Sequence, residues 1–507
     1  MEMLLVGSAF LIMILEVLTG VQMKKLIPGF ATMLIGIITM IFIGVMLHGM
    51  PAGSWFSGLI VRDPFINGLR LFLLIASFFA SLLSMVFFKN RHIPKVEFYA
   101  ILLITTACMS LLVQSNHMVM LFVSLEAVTI GFYVLIGYPT NKAFGLEAGI
   151  KYLILGGLST GMLLLGIGLL YGSVGDPSYS LGTLDGFAFA DIHAFLSEYS
   201  GSIWTKVGAV LLVAGLFFKM GMVPFHIWVP DVYQGAPTPV TALLAVSSKG
   251  VGFAILLLLF RPGGALAPFG EWFIPLLSVI AGLSILWGNL SAIGECNVKR
   301  MIGFSGIAHA GYLLLGMIAY IYEPNNGFIV AVIFFYLFSY LLASFAVFGV
   351  MVHWGGLEDA DQQREHYVNL AKDNPLLALL LATGLSSLAG IPPMAGFIAK
   401  FLLFIVAFQA SLWSLLGIAI LGVIISIYYY FGWIREAFFK PSHGYYSPDD
   451  KNWMPVSSLF KAFWISIVVF LLLLGLYQGD WLEIFVNPEI VNQLYHKGMD
   501  STVFLSN

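Results

Sequence analysis

Four charged residues lie inside segments that are otherwise apolar enough to cross a lipid bilayer. They are Glu126 in MLFVSLEAVTIGFYVLIG, Lys219 in VLLVAGLFFKMGMVPFHIW, Lys249 in TALLAVSSKGVGFAILLLLF and Lys400 in GIPPMAGFIAKFLLFIVAF. A charge near the bilayer centre costs about 2.5–3.5 kcal/mol on an insertion scale, so such residues are rare and usually functional. Amines and a carboxylate that can take up and release protons therefore indicate ion movement across a membrane.

Four further residues are candidates for passing protons to or between these charges. Glu147 and Lys151 lie four residues apart, a spacing that is also explained by a simple ion pair on one helix face. His226 and His309 can each donate at one ring nitrogen and accept at the other. Each histidine is equally compatible with a packed, hydrogen-bonded core position.

The composition predicts an all-α polytopic membrane protein to hold these residues. Hydrophobic residues make up 60% of the 507 residues and charged residues only 10%. Apolar runs of about twenty residues recur along the chain and predict about fourteen transmembrane helices. The sequence leaves no room for a large soluble domain.

Prolines interrupt two of the predicted spans close to a lysine. Pro224 follows Lys219 in the seventh span, and Pro392 and Pro393 precede Lys400 in the twelfth. A broken helix is tolerated at membrane depth only where it lines protein or a watery cavity. Two such spans, five apart, predict two inverted five-helix repeats, as in many transporters.

This organisation predicts four regions. They are three amino-terminal helices (1–95), a first half with helices 4 to 8 (96–265), a second half with helices 9 to 13 (266–440), and helix 14 with a tail (441–507). The second half contains the polar loop 355–374, which predicts a solvated connector with a short amphipathic helix.

The sequence offers no redox or nucleotide chemistry of its own. Cys108 and Cys296 are the only cysteines, and no phosphate-binding glycine motif is present. The driving energy must therefore come from an ion gradient or from a reaction in another subunit.

Lysine and arginine predict the orientation in the membrane, because they concentrate in the odd-numbered connections. The even-numbered connections carry only Arg62, Arg70, Lys206 and Arg261. The positive-inside rule places the odd loops in the cytoplasm and both termini on the opposite side. The first helix is expected to be retained, because no basic segment or cleavage site precedes it.

Three segments carry a family resemblance. The runs FKMGMVPFHIWVPDVYQGAPTPVTALLAVSSKG (218–250), VKRMIGFSGIAHAGYLLLG (298–316) and GIPPMAGFIAKF resemble the antiporter-like membrane subunits of respiratory complex I over about residues 95–440. Lys400, the 218–250 run and the absence of a long lateral helix after span fourteen are similar to the subunit N branch of that family.

The resemblance implies a role for each candidate. Glu126 would pair with Lys219 as a proton switch, because a nearby carboxylate favours the charged lysine and burial disfavours it. Lys249 would be the central carrier and Lys400 the terminal one. Glu147, Lys151, His226 and His309 would be secondary carriers. A static salt bridge, or side chains that reach the membrane surface, remain the alternatives.

The resemblance also implies a setting. The chain would be a multi-pass protein of the bacterial inner membrane, in a translocase that carries NADH, FMN, iron–sulfur clusters and quinone in other subunits. Its partners would be the M-, K- and J-type membrane subunits, the peripheral redox arm and lipid, without nucleic acid. A subunit of an Mrp-type Na⁺/H⁺ antiporter and a non-pumping scaffold are the alternative functions. The sequence leaves the electron donor, the proton stoichiometry and the coupling mechanism open.

Overall fold

The fold is a bundle of membrane-length helices with one small hairpin. The computed structural model describes residues 1–19, 27–47, 49, 53–89, 95–138, 142–174, 186–199, 202–355, 359–439 and 456–476. Its helices are α1 (Glu2–Thr19), α2 (Ile27–Leu47), α3 (Pro64–Phe87), α4 (Val96–Leu112), α5 (Met118–Ile136), α6 (Ala143–Val174), α7 (Phe189–Glu198), α8 (Ile203–Met220), α9 (Trp228–Gly235), α10 (Thr238–Phe260), α11 (Gly270–Ile293), α12 (Val298–Tyr322), α13 (Gly327–Trp354), α14 (Leu370–Asp373), α15 (Pro375–Ala389), α16 (Ala395–Gln409), α17 (Trp413–Phe439) and α18 (Ser458–Leu476).

The prediction of an all-α membrane fold is confirmed. Within the described residues, eleven helices are long and apolar enough to cross a membrane, and α4, α15 and α16 are shorter apolar helices. The count of fourteen spans stays a prediction, as do the inverted repeats and the four regions. The helix pattern did not predict the short antiparallel hairpin of β1 (Gly53–Trp55) and β2 (Ile60–Arg62).

Three helices form the interior of the bundle. In α10 and α12, 94% of the most apolar window is buried by neighbouring helices, and in α13 the share is 83%. The corresponding share in α2, α6 and α17 is only 33%, and their outer faces carry large apolar side chains. A helix that is apolar all round must be buried or face lipid. The charged side chains on the inner helices are therefore shielded from lipid.

Both predicted helix breaks are present, and they share the same local backbone structure. Gly221 ends α8 and Gly390 ends α15, each with a positive φ (69° and 83°) that favours glycine. Three residues later, each break has a cis peptide bond before proline, at Pro224 and at Pro393. The chain then resumes as α9 or α16.

The polar backbone groups at the two breaks find partners inside the protein. Trp228 Nε1 donates to the carbonyl oxygen of Phe218 over 2.9 Å, and Val223 N donates to Ser284 Oγ over 3.1 Å. At the second break, Gly396 N donates to Ser387 Oγ over 3.1 Å. Irregular backbone at membrane depth is viable because these groups are satisfied.

The close approach of α15 and α16 predicts a strict requirement for glycine at position 396. A Cβ there would overlap the carbonyl oxygen of Ser387, so the Gly396→Ala variant must push the two half-helices apart. Overpacking costs about 1–3 kcal/mol where the backbone can shift. We expect a clear loss of assembled complex on native gels. Gly417→Ala is the matched control, because no atom lies within 4 Å of a Cβ at Gly417; equal losses in both variants would contradict the prediction.

Two expectations about the connections need correction. The segment 355–374 is held against the bundle and is not simply a solvated connector, because Val298 N donates to the Gln362 carbonyl oxygen over 2.8 Å and Tyr367 is fully buried. It forms a 3₁₀ helix (Arg364–Tyr367) and the one-turn α14, while residues 356–358 lie outside the described residues. Arg70 is not a loop residue, since it lies in α3 with 1% of its surface exposed.

The partners of Arg70 explain how this charge is buried. Its Nη2 lies 2.6 Å from Glu2 Oε1, which also accepts from Ser110 and Gln114. The network joins α1, α3 and α4. The odd-numbered connections also contain Lys24, Lys25, Arg91, Lys440 and Lys451, which lie outside the described residues, as do residues 175–185, 200–201 and the tail 477–507. The orientation therefore stays a prediction.

Candidate functional site

Glu126 and Lys219 face the same region, but they do not form the predicted pair in this structure. Lys219 Nζ donates to Thr129 Oγ1 over 2.9 Å, and Glu126 Oε1 accepts from Thr160 Oγ1 over 2.6 Å. No ion pair within 4.0 Å joins the two among the described residues. Thr129 lies three residues after Glu126 on α5, so its hydroxyl shares that face of the helix. The lysine and the carboxylate are each held by a threonine hydroxyl.

A cavity of about 30 Å³ extends from Lys219 toward α10. The polar residues on its wall are Thr129, Tyr152, Lys219, Ser247 and Ser248, and the other lining residues are apolar. A cavity needs about 10–15 Å³ to hold one water molecule. One or two waters therefore fit between Lys219 and the turn of α10 that precedes Lys249.

Lys249 lies on α10, one of the two most buried helices, and has no acidic neighbour among the described residues. Its exposed fraction is 2%, and Nζ donates to the carbonyl oxygen of Ala245 over 3.1 Å. Nζ also lies 5.3 Å from the ring centroid of Tyr340, within the range of a cation–π contact. No carboxylate of the described chain lies within 4.0 Å of Nζ. This side chain does not extend to the membrane surface, so that alternative is wrong for Lys249.

His309 lies at the centre of a cluster of tyrosines. Its Nδ1 is 2.7 Å from Tyr336 Oη and its Nε2 is 3.4 Å from Tyr430 Oη. Its ring centroid lies 4.9 Å from that of Tyr340, the ring that Lys249 also contacts. Tyr430 Oη in turn forms a hydrogen bond with Ser305 Oγ. Hydroxyls and a neutral imidazole both donate and accept, so the cluster can exchange protons along its hydrogen bonds.

Lys400 is held at the end of the first half of broken span twelve. Its Nζ donates to the carbonyl oxygens of Leu388 over 2.8 Å and Ala389 over 3.0 Å. These carbonyls end α15, where the helix dipole is negative and no intrahelical donor is available. With 4% of its surface exposed, Lys400 does not reach the membrane surface either.

A second cavity, of about 10 Å³, joins Lys400 to the tyrosine cluster. His309, Tyr336, Tyr340 and Lys400 lie on its wall. This volume is close to the minimum for a single water molecule. Lys400 Nζ also lies 4.9 Å from the ring centroid of Tyr312. The histidine and the terminal lysine therefore share one small polar space.

The secondary candidates divide into two groups. Lys151 Nζ lies 2.8 Å from Glu147 Oε1, as the four-residue spacing indicates, and 2.7 Å from Asp231 Oδ2. Asp231 Oδ1 lies 2.6 Å from Arg300 Nη1, and Arg300 also contacts Glu295. Asp231 therefore joins α6 to α12, a role that no spacing in the sequence indicates.

His226 does not contact the lysines. It lies in the break after α8, where its ring centroid is 5.7 Å from that of Trp287. Its Nδ1 is buried and has no hydrogen-bond partner among the described residues. The structure therefore brings His309, but not His226, into the polar series that includes Lys249 and Lys400.

The described residues contain no group of three His, Cys, Asp or Glu side chains that could hold a metal ion. The chemistry that the arrangement supports is the movement of protons. Polar side chains and two cavities form a series from Glu126 and Lys219, past Lys249, to His309 and Lys400.

Known proteins resemble the chain in sequence and in fold. The family model of NADH:quinone oxidoreductase/Mrp antiporter transmembrane proteins matches residues 115–426. An NADH-quinone oxidoreductase subunit N 1 of Opitutus terrae is 47% identical over 84% of this chain and 83% of its own length. A subunit N of Heliobacterium modesticaldum is 36% identical over 77% of each chain.

Two solved structures show the same fold. A chain of respiratory complex I from Thermus thermophilus with bound aureothin matches with a TM-score of 0.75 and 28% identity, over 94% of this chain and 97% of that one. A chain of the Mrp complex from Dietzia also matches with a TM-score of 0.75, at 20% identity and over 99% of each chain. The second likeness concerns the fold alone.

Proposed function

We propose, from the premise that this chain belongs to the family of NADH:quinone oxidoreductase/Mrp antiporter transmembrane proteins, that it is a proton-translocating membrane subunit of an NADH:quinone oxidoreductase. The observation that carries the proposal is the buried series of Lys219, Lys249, His309 and Lys400 with its two cavities. Buried titratable groups that form a spatial series across a helix bundle are typical of proton pathways.

In this proposal Lys219 and Glu126 work as a switch. The structure supports it by showing the pair apart, with Lys219 on Thr129 and Glu126 on Thr160. Movement of Glu126 toward Lys219 would favour the charged lysine, and movement away would favour proton release. The released proton passes through water in the first cavity to Lys249.

The later steps use the tyrosine cluster. From Lys249 the proton passes by Tyr340 and His309 to Lys400, and it leaves on the side opposite the cytoplasm. Each proton moved against the membrane potential costs about 2.3 kcal/mol per 100 mV. That energy would come from quinone reduction elsewhere, since we assign no electron transfer to this chain and place NADH, FMN, iron–sulfur clusters and quinone in other subunits.

The proposed surroundings follow the sequence prediction. The chain would lie in the bacterial inner membrane, with its odd loops in the cytoplasm and the Glu147–Lys151–Asp231–Arg300 network on that side. Helices 4 to 8 and 9 to 13 would form the two related halves. Partners would be the neighbouring membrane subunits of the complex, which would cover some of the exposed apolar side chains of the outer helices.

The energy source distinguishes this function from that of an antiporter subunit. In inverted membrane vesicles that contain the complete complex, we expect NADH to drive proton uptake that an uncoupler abolishes. We expect a sodium gradient without NADH to drive none. Sodium-dependent proton exchange without NADH would favour the antiporter, and NADH oxidation without any proton uptake would contradict the proposal.

A further inference from the structure

The inward face of α17 carries a column of polar side chains outside the series described above, apart from Tyr430. Its members, all buried, are Ser426, Tyr429, Tyr430, Trp433 and Glu436. Their spacing of about three or four residues places them on one face of the helix. Polar side chains on a buried helix face require partners, so this stripe requires an explanation.

Two atoms at the outer end of this column are buried without a partner. Trp433 Nε1 and Glu436 Oε2 have no hydrogen bond to any described residue, and the exposed fractions of these residues are 0% and 7%. An unsatisfied buried polar group costs about 1–3 kcal/mol, and more when it is charged. One atom is a donor and the other an acceptor, and the two residues lie three positions apart on α17. A water that accepts from the indole and donates to the carboxylate would satisfy both.

The column connects the loop surface with the tyrosine cluster. At the outer end, Glu436 Oε1 lies 4.0 Å from Arg364 Nε, and the arginine side chain is 23% exposed. At the inner end, Tyr430 Oη contacts Ser305 and lies 3.4 Å from His309 Nε2. Glu436 thus stands between solvent and the hydroxyl groups that surround His309.

We infer that Glu436 is a proton-transfer residue of a second path, which runs from the side of loop 359–374 along α17 to His309 and Lys400. The inference rests on the proposed function and adds a second supply to the same terminal lysine. The Glu436 carboxylate takes a proton from solvent and gives a proton to water beside Trp433, so the carboxylate is restored. That water passes its extra proton to Tyr430 Oη as the hydroxyl gives its own proton to His309 Nε2. The Trp433 N–H orients that water and is not itself a carrier.

A purely structural role for Glu436 makes different predictions. As an ion pair with Arg364, it would fasten the loop to α17, and a partly exposed pair of this kind contributes about 0–1 kcal/mol. In that case removal of either partner would have the same small effect. A carrier must keep a titratable carboxyl group, whereas its arginine neighbour need not be present.

The test uses the complete complex in inverted vesicles and compares Glu436→Gln, Glu436→Asp and Arg364→Gln. Protons taken up per NADH oxidised and the quinone reductase rate are measured in each, with assembly checked on native gels. Loss of a positioned proton carrier typically costs far more than tenfold in the affected step, but a parallel path remains, so we expect a fall in uptake of about threefold or more for Glu436→Gln. We expect Glu436→Asp to keep most of the wild-type uptake. We expect Arg364→Gln to lower uptake less than Glu436→Gln does.

The controls separate the possible outcomes. Glu365→Gln changes an exposed carboxylate on the same loop and should behave as wild type. If Glu436→Gln does not assemble, an assembled Trp433→Phe complex, which lacks the N–H donor and part of the buried ring, must show lower uptake for the inference to stand. Normal uptake in Glu436→Gln, or equal losses in the Gln, Asp and Arg364 variants, overturns it. Lys219→Ala, run in parallel, tests the proposed function separately, since full uptake there would overturn the function itself.

Discussion

Replacement of Lys219 by alanine is expected to lower NADH-driven proton uptake and the quinone reductase rate together, each by at least about tenfold. The reason is that Lys219 Nζ is the buried amine at the first cavity, and Thr129 Oγ1 cannot replace it as a proton carrier at neutral pH. If pumping and electron transfer are tightly coupled, a blocked proton step also slows quinone reduction. Both rates are measured in inverted vesicles that carry the assembled complex.

Lys206→Ala is the matched control for this variant. Lys206 lies in the first turn of the same helix, far from the cavity at the other end. It should leave both rates near those of wild type. Unchanged uptake in an assembled Lys219→Ala complex would remove the switch and favour the scaffold.

The second large effect is expected for Lys249→Ala, alone and combined with Lys219→Ala. Lys249 Nζ donates to the Ala245 carbonyl and lies against the Tyr340 ring, and in the described part of the chain no other lysine lies between the two cavities. We expect a fall in proton uptake of about tenfold or more. Because both lysines would serve one path, the double variant should lose little more than the single variants do, since residues that act as a unit are not additive.

Independent paths would give another result. If each lysine served its own route, the loss in the double variant would approach the product of the two single losses. Lys372→Ala, at an exposed position on α14, controls for the removal of a lysine from the same chain. A double variant that is much worse than either single variant would contradict a single series through Lys219 and Lys249.

The sequence predicted the helical membrane fold and identified the charged residues within it. Both were possible because a lipid bilayer restricts the composition of the segments that cross it. A span must be apolar and about twenty residues long, and a charge within it is conspicuous. Pro224 and the Pro392–Pro393 pair identified both breaks, since proline cannot continue a regular helix without losing a hydrogen bond. Lys219 lies in the helix before the first break, and Lys400 lies in the helix after the second.

The sequence did not predict the partners of these charges. Threonines and tyrosines are common in apolar helices, so nothing in their types or spacing distinguished Thr129, Thr160 or the ring of tyrosines around His309. Asp231 was also missed as a bridge, because its partners Lys151 and Arg300 lie 80 and 69 residues away in the sequence. Such contacts depend on how helices pack, which the periodicity of one helix does not specify. The distance between Glu126 and Lys219 is a matter of conformation and has no sequence signature.

The small first cavity has a consequence for the electrical insulation of the membrane. Its wall between Lys219 and α10 is formed mainly by side chains such as Leu125, Val128 and Leu216, and it holds one or two waters at most. A short apolar passage empties readily, and an empty passage does not conduct. In this conformation the subunit therefore conducts protons poorly. In the proposed function, protons would cross this passage only while it holds water, so wetting of the passage would itself act as the gate.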